Sequence, residues 1–490
     1  MKRFLTLALI GAVMLGAGSL AYANVCAFDP VPAATLLFPF VTYNYDLGAS
    51  GYNTLFAITN VSNEATIAHV TLWTDFSVAI LDFNVLLTGY DVQTISIRDI
   101  LANGQLPITR SQANPATAGV FEDGPVSGAN TYALWDPEDL PNPQATTALG
   151  TRCPTTATGY PGRYTTPIPA NILALFEGWL KTSQTVPRYH DNCGWTDPDD
   201  ANPYVPSPVP WFEGRDDADD TWMYITVDVV ETCNLFFPSE LGYWASGELR
   251  YDNILMGDVI YVNQSARLSE AENAVQIEAA ASVELDATPL PSPYTTWASF
   301  YSRYANFYGY FDYREPLPTA WAFRYMQDPA IDLTTGIRAF KASTLNFIVP
   351  DLFLDDPDES PNEMWALNCV AYTYYVWDEA ENVTSTATNP WSQPGGESVI
   401  LNVLPLETQE VMADQFNILD EYGWFLFIWP PSNFYPGGPA EDWYQTYMGV
   451  QYTKGGEYSS FRTGHVMANY NCFEDQVLPQ LGILYDPPVE

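Results

Sequence analysis

The chain is 490 residues long and sets 18 Lys plus Arg against 59 Asp plus Glu, for a formal net charge of −41. A polyanion of that size repels nucleic-acid phosphates and anionic lipid head groups, which argues against nucleic acid and anionic membrane surfaces as partners. Aromatic residues reach 15% and charged residues only 16%, below the roughly 25% of ordinary soluble domains, so there is ample material for a core and the chain is not wholly disordered.

Residues 1–23 (MKRFLTLALIGAVMLGAGSLAYA) have a basic start, an apolar stretch and a small-x-small end at Ala21-Tyr22-Ala23, which predicts a secretory signal peptide cleaved before Asn24. Cleavage removes Lys2 and Arg3 and leaves the mature chain two charges more negative. Val25 precedes Cys26 where a lipoprotein signal wants a small residue, so no lipid anchor is expected. No later stretch approaches a spanning helix. The expected address is therefore extracellular, cell-surface or periplasmic.

Cys26, Cys153, Cys193, Cys233, Cys369 and Cys472 all follow the leader, with no C-x-x-C pair. An even count in an exported chain reads as up to three disulfides rather than zinc or redox chemistry. Cys153–Cys193 around a predicted helix and Cys369–Cys472 across the C-terminal third are the favoured bridges, but the sequence alone leaves the pairing open.

From Leu36 to Leu101 the pattern is β. Thr54–Val61 and Thr66–Asp75 are β-branched and aromatic runs separated by a hairpin-like break, Ser62-Asn63-Glu64-Ala65. In the second run Ala68, Val70 and Leu72 share one face, with Ile67, His69, Thr71 and Trp73 on the other, a pattern for cover on both sides. Leu81, Phe83, Val85 and Leu87 alternate as in a half-buried strand. After the turn Thr88–Asp91, Ile95 and Ile97 continue the alternation. Residues 103–169 and 187–220 read as loops.

Between those loops Ile172, Leu175, Phe176, Trp179 and Leu180 form one helical stripe, with Pro169 at its first turn. Thr221–Cys233 is a strand. Thr295–Tyr308 is a second helix whose aromatic stripe reads as core rather than as a ligand platform. Strands follow at Asn368–Trp377, Ser398–Val403, Gly423–Trp429, Tyr444–Thr453 and Tyr458–Thr463, the last two joined as a hairpin by Lys454-Gly455-Gly456-Glu457. No fixed repeat suggests a solenoid or propeller. An outer-membrane barrel is disfavoured by 39 prolines and irregular spacing of the amphipathic segments.

The strings CAFDPVPAATLLFPF, LDFNVLLTGYDVQTISIRDIL, YITVDVVETC and REPLPTAWAFRY together resemble a family of secreted bacterial proteins, usually labelled hypothetical. The resemblance covers most of the mature chain and implies export. It brings no activity, cofactor or catalytic residue.

Catalytic signatures are not seen: there is no G-x-S-x-G elbow, H-E-x-x-H, P-loop or dinucleotide-binding glycine pattern. His69, His190 and His465 are far apart, and His69 in a strand reads as a packed, hydrogen-bonded residue rather than a ligand. Acid clusters occur at Asp197/Asp199/Asp200, Asp216/Asp217/Asp219/Asp220 and Asp355/Asp356/Asp358/Glu359. Calcium takes six to eight hard oxygens, and Asp216, Asp217, Asp219 and Asp220 are the best candidate ligands because a strong strand follows them. Near Asp356, Pro361 stands where a calcium loop needs glycine, so no EF-hand is expected. Asn60, Asn263 and Asn382 match the glycosylation pattern, incidental in a bacterial setting.

The expected fold is mainly β, with antiparallel, immunoglobulin-like sandwich regions. The segments are a signal peptide (1–23), a sandwich-like region (24–105), a loop-rich middle with short helices (106–345) and a C-terminal antiparallel region (346–490), the two β regions packing as one body. The expected function is non-enzymatic, by binding or structural contacts at the cell surface or in the extracellular matrix. Its candidate partners are an extracellular glycan, a cell-surface protein or a second copy of the chain. The alternatives are a secreted carbohydrate-active hydrolase using two carboxylates, and a calcium-stabilised adhesion or assembly module.

Overall fold

The computed structural model describes residues 30–107 (apart from 65, 76 and 88), 166–185, 220–231, 236–246, 249–279, 299–342 (apart from 311), 370–379 (apart from 372), 383–385, 403–404, 407–416, 420–429, 444–455 and 458–468. These residues are mainly β, and their strands pair antiparallel.

Nine strands form the largest sheet: β1 (Thr35–Asn44), β2 (Tyr52–Asn60), β3 (Thr66–Thr74), β4 (Ala79–Leu87), β5 (Val92–Ser96), β6 (Asp220–Val230), β7 (Leu255–Asn263), β8 (Leu268–Asn273) and β9 (Val275–Ile277). Their order is β4-β3-β6-β1-β2-β7-β8, with β5 on β2 and β9 on β1. The break at 62–65 is thus not a hairpin: β2 lies between β5 and β7, while β3 pairs with β4 and β6. β6, some 150 residues downstream in sequence, inserts between β3 and β1 and keeps the neighbouring runs apart. Ile97 opens a short helix, α1 (Ile97–Leu101), instead of extending β5. Pro39 sits inside β1 at a register shift between Phe38 and Val41, where a missing N–H is tolerated.

The two faces of this sheet differ. Ala68, Val70 and Leu72 of β3, and Met223, Ile225, Val227 and Val229 of β6, enter one core together with α1 and the helix α2 (Ala170–Thr185). Phe176 and Leu180 are buried there and Ile172, Leu173 and Trp179 pack beside them, while Leu175 stays exposed. Contact is centred on the 172–176–180 row, which leaves Leu175 at the margin of the stripe. The opposite face presents Trp73 and Tyr224 to a second core, together with polar Thr226 and Asp228.

That second core is shared with two further sheets. One, in the order β14-β13-β17-β10-β20, comprises β10 (Ala320–Met326), β13 (Thr373–Asp378), β14 (Val383–Ser385), β17 (Tyr422–Ile428) and β20 (His465–Ala468). The other, β16-β11-β18-β19, comprises β11 (Leu333–Ala342), β16 (Thr408–Met412), β18 (Gln445–Lys454) and β19 (Tyr458–Thr463). A two-stranded pair, β12 (Val370–Ala371) and β15 (Val403–Leu404), completes the set. The four-stranded sheet touches the nine-stranded one through β11, β16 and β19, and touches the five-stranded one through β10. Two short helices, α3 (Leu241–Ala245) and α4 (Ser302–Tyr308), add Tyr243, Trp244, Tyr304 and Ala305 to the same core. The expected aromatic stripe before Tyr308 is thus core where it is described. The β18–β19 hairpin forms in the expected place.

Candidate functional site

Three arginines from the second half of the chain reach into the layer between the sheets, each against a carboxylate. Alternation along β6 turns Asp228 away from the aliphatic core, where it accepts from Thr35 Oγ1 (2.6 Å), Tyr243 (2.5 Å), Tyr301 (3.1 Å) and Arg314 Nη1 (3.1 Å). Arg314 also lies over the Tyr301 ring at 4.7 Å, and its side chain is wholly buried. Burial opposes its charge, but Asp228 and Asp312 outweigh that and hold it protonated. Both partners lie in strings noted in the sequence, YITVDVVETC and REPLPTAWAFRY.

Arg303 of α4 pairs with the buried Glu407 and donates to Ser77 Oγ (3.0 Å) and Tyr224 (3.1 Å). Arg338 of β11 meets Glu270 of β8 (3.2 Å) and Glu410 of β16 (3.3 Å), its guanidinium 4.7 Å from both the Phe40 and the Tyr261 ring centres. Such pairs gain Coulomb energy but give up hydration, so the net stability each adds is small, while removing one partner leaves a costly buried charge.

Two groups near these pairs are strongly perturbed. Glu272, two residues along β8 from Glu270, accepts from the Tyr261 and Tyr447 hydroxyls at 2.7 and 2.9 Å. Burial pushes its carboxyl up to about 7. Lys341 is buried on β11, and its Nζ has no hydrogen-bond partner among the described residues. Burial brings its ammonium down to about 7, against the pull of Glu407. Glu270 and Glu272 are two carboxylates on one strand face, the residue types a carboxylate-pair hydrolase would use. The Glu270 side chain, however, is 0% exposed and occupied by Arg338, Gln451 and Ser459, so this pair has no room for a glycosidic bond.

A separate apolar cluster lies on the outer face of the five-stranded sheet, where the strand floor is buried and the flanking rings are half-buried. Trp321, Phe323 and Tyr325 of β10 and Phe425 and Phe427 of β17 point into the second core, so Ala320, Ala322, Leu426 and Ile428 fall on the opposite side. Half-buried Tyr375, Trp377, Trp424 and Met467 pack on that side. The Trp377 and Trp424 indoles stack at 4.0 Å with planes 9° apart, and exposed Arg324 is paired with Trp424 across the strands. Arg324, Trp424 and Trp377 thus form one row over three strands.

The sequence-predicted sites are distributed unevenly. All six cysteines, Asp216, Asp217, Asp219, the other two acid clusters and His190 lie outside the described residues. Asp220 opens β6, opposite Asn44. His69 is buried with Nδ1 3.1 Å from Asn84 Oδ1 and packs near Tyr243, the packed role expected of it. His465 is exposed beside Arg462. Among the described residues no group of three or more His, Cys, Asp or Glu side chains is arranged to hold a metal ion, and no helix is long and apolar enough to cross a membrane. Sequence reasoning missed the three arginines. The available signal was a basic residue beside an apolar run in a chain with only 18 of them. No protein-family model, curated protein or solved structure matches the chain.

Proposed function

We propose that the mature chain is an exported, acidic, non-enzymatic protein of the cell surface or extracellular matrix that acts by binding, and that the outer face of its five-stranded sheet contacts an extracellular glycan. The row Arg324–Trp424–Trp377 carries this reading. A sheet supplies a flat, rigid base. The stacked indole pair offers rigid apolar area with little conformational entropy to lose, and the apolar faces of sugar rings pack on aromatic surface of this kind. Ala320 and Ala322 beside the row are buried, while Trp377 and Trp424 are half-buried and keep part of their surface open to solvent. The acidic surface disfavours densely anionic polymers, so neutral polysaccharides are the matching class.

Affinity electrophoresis of the mature protein through gels containing neutral polysaccharides tests this. Retardation of the wild type that falls at least tenfold in Trp377→Ala and Trp424→Ala, with circular dichroism unchanged, is the expected result. Equal mobility of wild type and both variants in every gel would refute the assignment, as would a concentration-dependent dimer that buries the two indoles.

A further inference from the structure

The Arg338 seam holds more negative charge than one guanidinium matches, and it lies where two edge strands meet. β8 closes the nine-stranded sheet on one side, β19 closes the four-stranded sheet, and the two strands are in contact. Glu272 of β8 is tied to both sheets, through Tyr261 on β7 and Tyr447 on β18. Around it stand Glu270 on its own strand, Arg338 on β11 and Glu410 on β16, with the neutral Gln451 of β18 and Ser459 and Thr463 of β19 completing the seam. Asp258 of β7 is exposed, on the other face from Tyr261.

We propose that this junction is a proton-operated latch, closed while Glu272 is protonated and loosened along the β8–β19 edge when Glu272 ionises. Glu270 and Glu410 already use Arg338, so an ionised Glu272 is a third negative charge beside one cation in a largely desolvated site. Desolvation outweighs the two tyrosine hydrogen bonds and the attraction of Arg338, which places the titration near neutrality, at about 7. The folded value lies above the ordinary 4.5, so the junction is at full strength below about pH 4.5 and weakens as pH rises to about 7. That is the reverse of a salt-bridged carboxylate. Glu272 is partly exposed, so protons reach it without unfolding the sheet.

Amide hydrogen exchange of the mature protein, read by mass spectrometry in steps from pH 5.5 to 8.5 and corrected for intrinsic rates, tests the latch. If opening returns Glu272 to its ordinary titration, the open population of strands 268–273 and 458–463 rises about thirtyfold between those pH values, while β3 and β6 stay protected. Glu272→Gln keeps the shape, removes the charge and flattens the profile. Tyr447→Phe removes a hydrogen bond to the ionised form and moves the wild-type midpoint upward. Wild-type protection that does not change with pH overturns the proposal. So does a slope that persists in Glu272→Gln or a midpoint that Tyr447→Phe leaves in place.

Discussion

Replacing Lys341 by methionine should make the protein more stable. Lys341 sits opposite Thr446 in the β11–β18 ladder, and its backbone N–H is satisfied by the Glu407 carbonyl at 2.8 Å. The side chain is 1% exposed and its Nζ makes no hydrogen bond with the described residues, so removing the amine sacrifices no such bond. Burial lowers its titration from 10.5 to about 7. Between those values the unfolded chain holds a proton that the folded chain releases, so stability rises with pH by up to about 1.4 kcal/mol per unit. At pH 7 and below nearly the whole penalty is present, roughly 4 kcal/mol as an upper bound. Methionine matches the length and flexibility of the lysine stem, so Lys341→Met should gain roughly 2–4 kcal/mol at pH 7. Urea unfolding followed by tryptophan fluorescence, with wild type and variant under the same redox conditions, measures this. At pH 9.5 the advantage should shrink to about a third, because the wild-type lysine is then neutral in the fold. A variant no more stable than wild type at pH 7, or an advantage independent of pH, refutes the reasoning.

Asp228→Asn keeps the shape of the four-donor site but leaves Arg314 buried without its main counter-ion, and should cost roughly 3–5 kcal/mol in the same unfolding assay. The double change Asp228→Asn with Arg314→Met should recover part of that loss, and a double variant as unstable as the sum of the single ones would argue against direct coupling. Gly423→Ala places a Cβ against the Trp377 carbonyl oxygen, with the Tyr325 hydroxyl 2.5 Å away, between strands that pair on both sides of β17. It should cost several kcal/mol and lower the thermal midpoint, whereas Gly178→Ala, where a Cβ meets open space on α2, should leave the midpoint unchanged or raise it.

The sequence by itself determined the elements whose pattern is local. Alternation marked β3, β4, β6 and the β18–β19 hairpin, the 172–180 stripe marked α2, and the two-sided cover of β3 followed from apolar residues on both of its faces. The packed role of His69 was legible in the same way. Which strands neighbour one another was not. Hydrogen-bonding edges of strands are chemically alike, so period-2 patterning fixes faces but not partners. Thus β6 takes the place beside β3 that a local hairpin would have given to β2. No strand is predicted at 255–277 or 320–342, although burial alternates along β7 as a period-2 pattern would have it.

The charged sites depended on the same long-range choice. Asp228 and Arg314 are 86 positions apart, and Arg338 and Glu270 are 68 apart. Only the stacking of sheets brings each pair into one water-poor layer. There desolvation makes Glu272 and Lys341 unusual, and the outward alternation of β10, β13 and β17 aligns Arg324, Trp424 and Trp377 on one face. Composition announced an acidic, aromatic-rich chain. Burial, a property of the packed layers alone, decided which few of its charges and rings would matter.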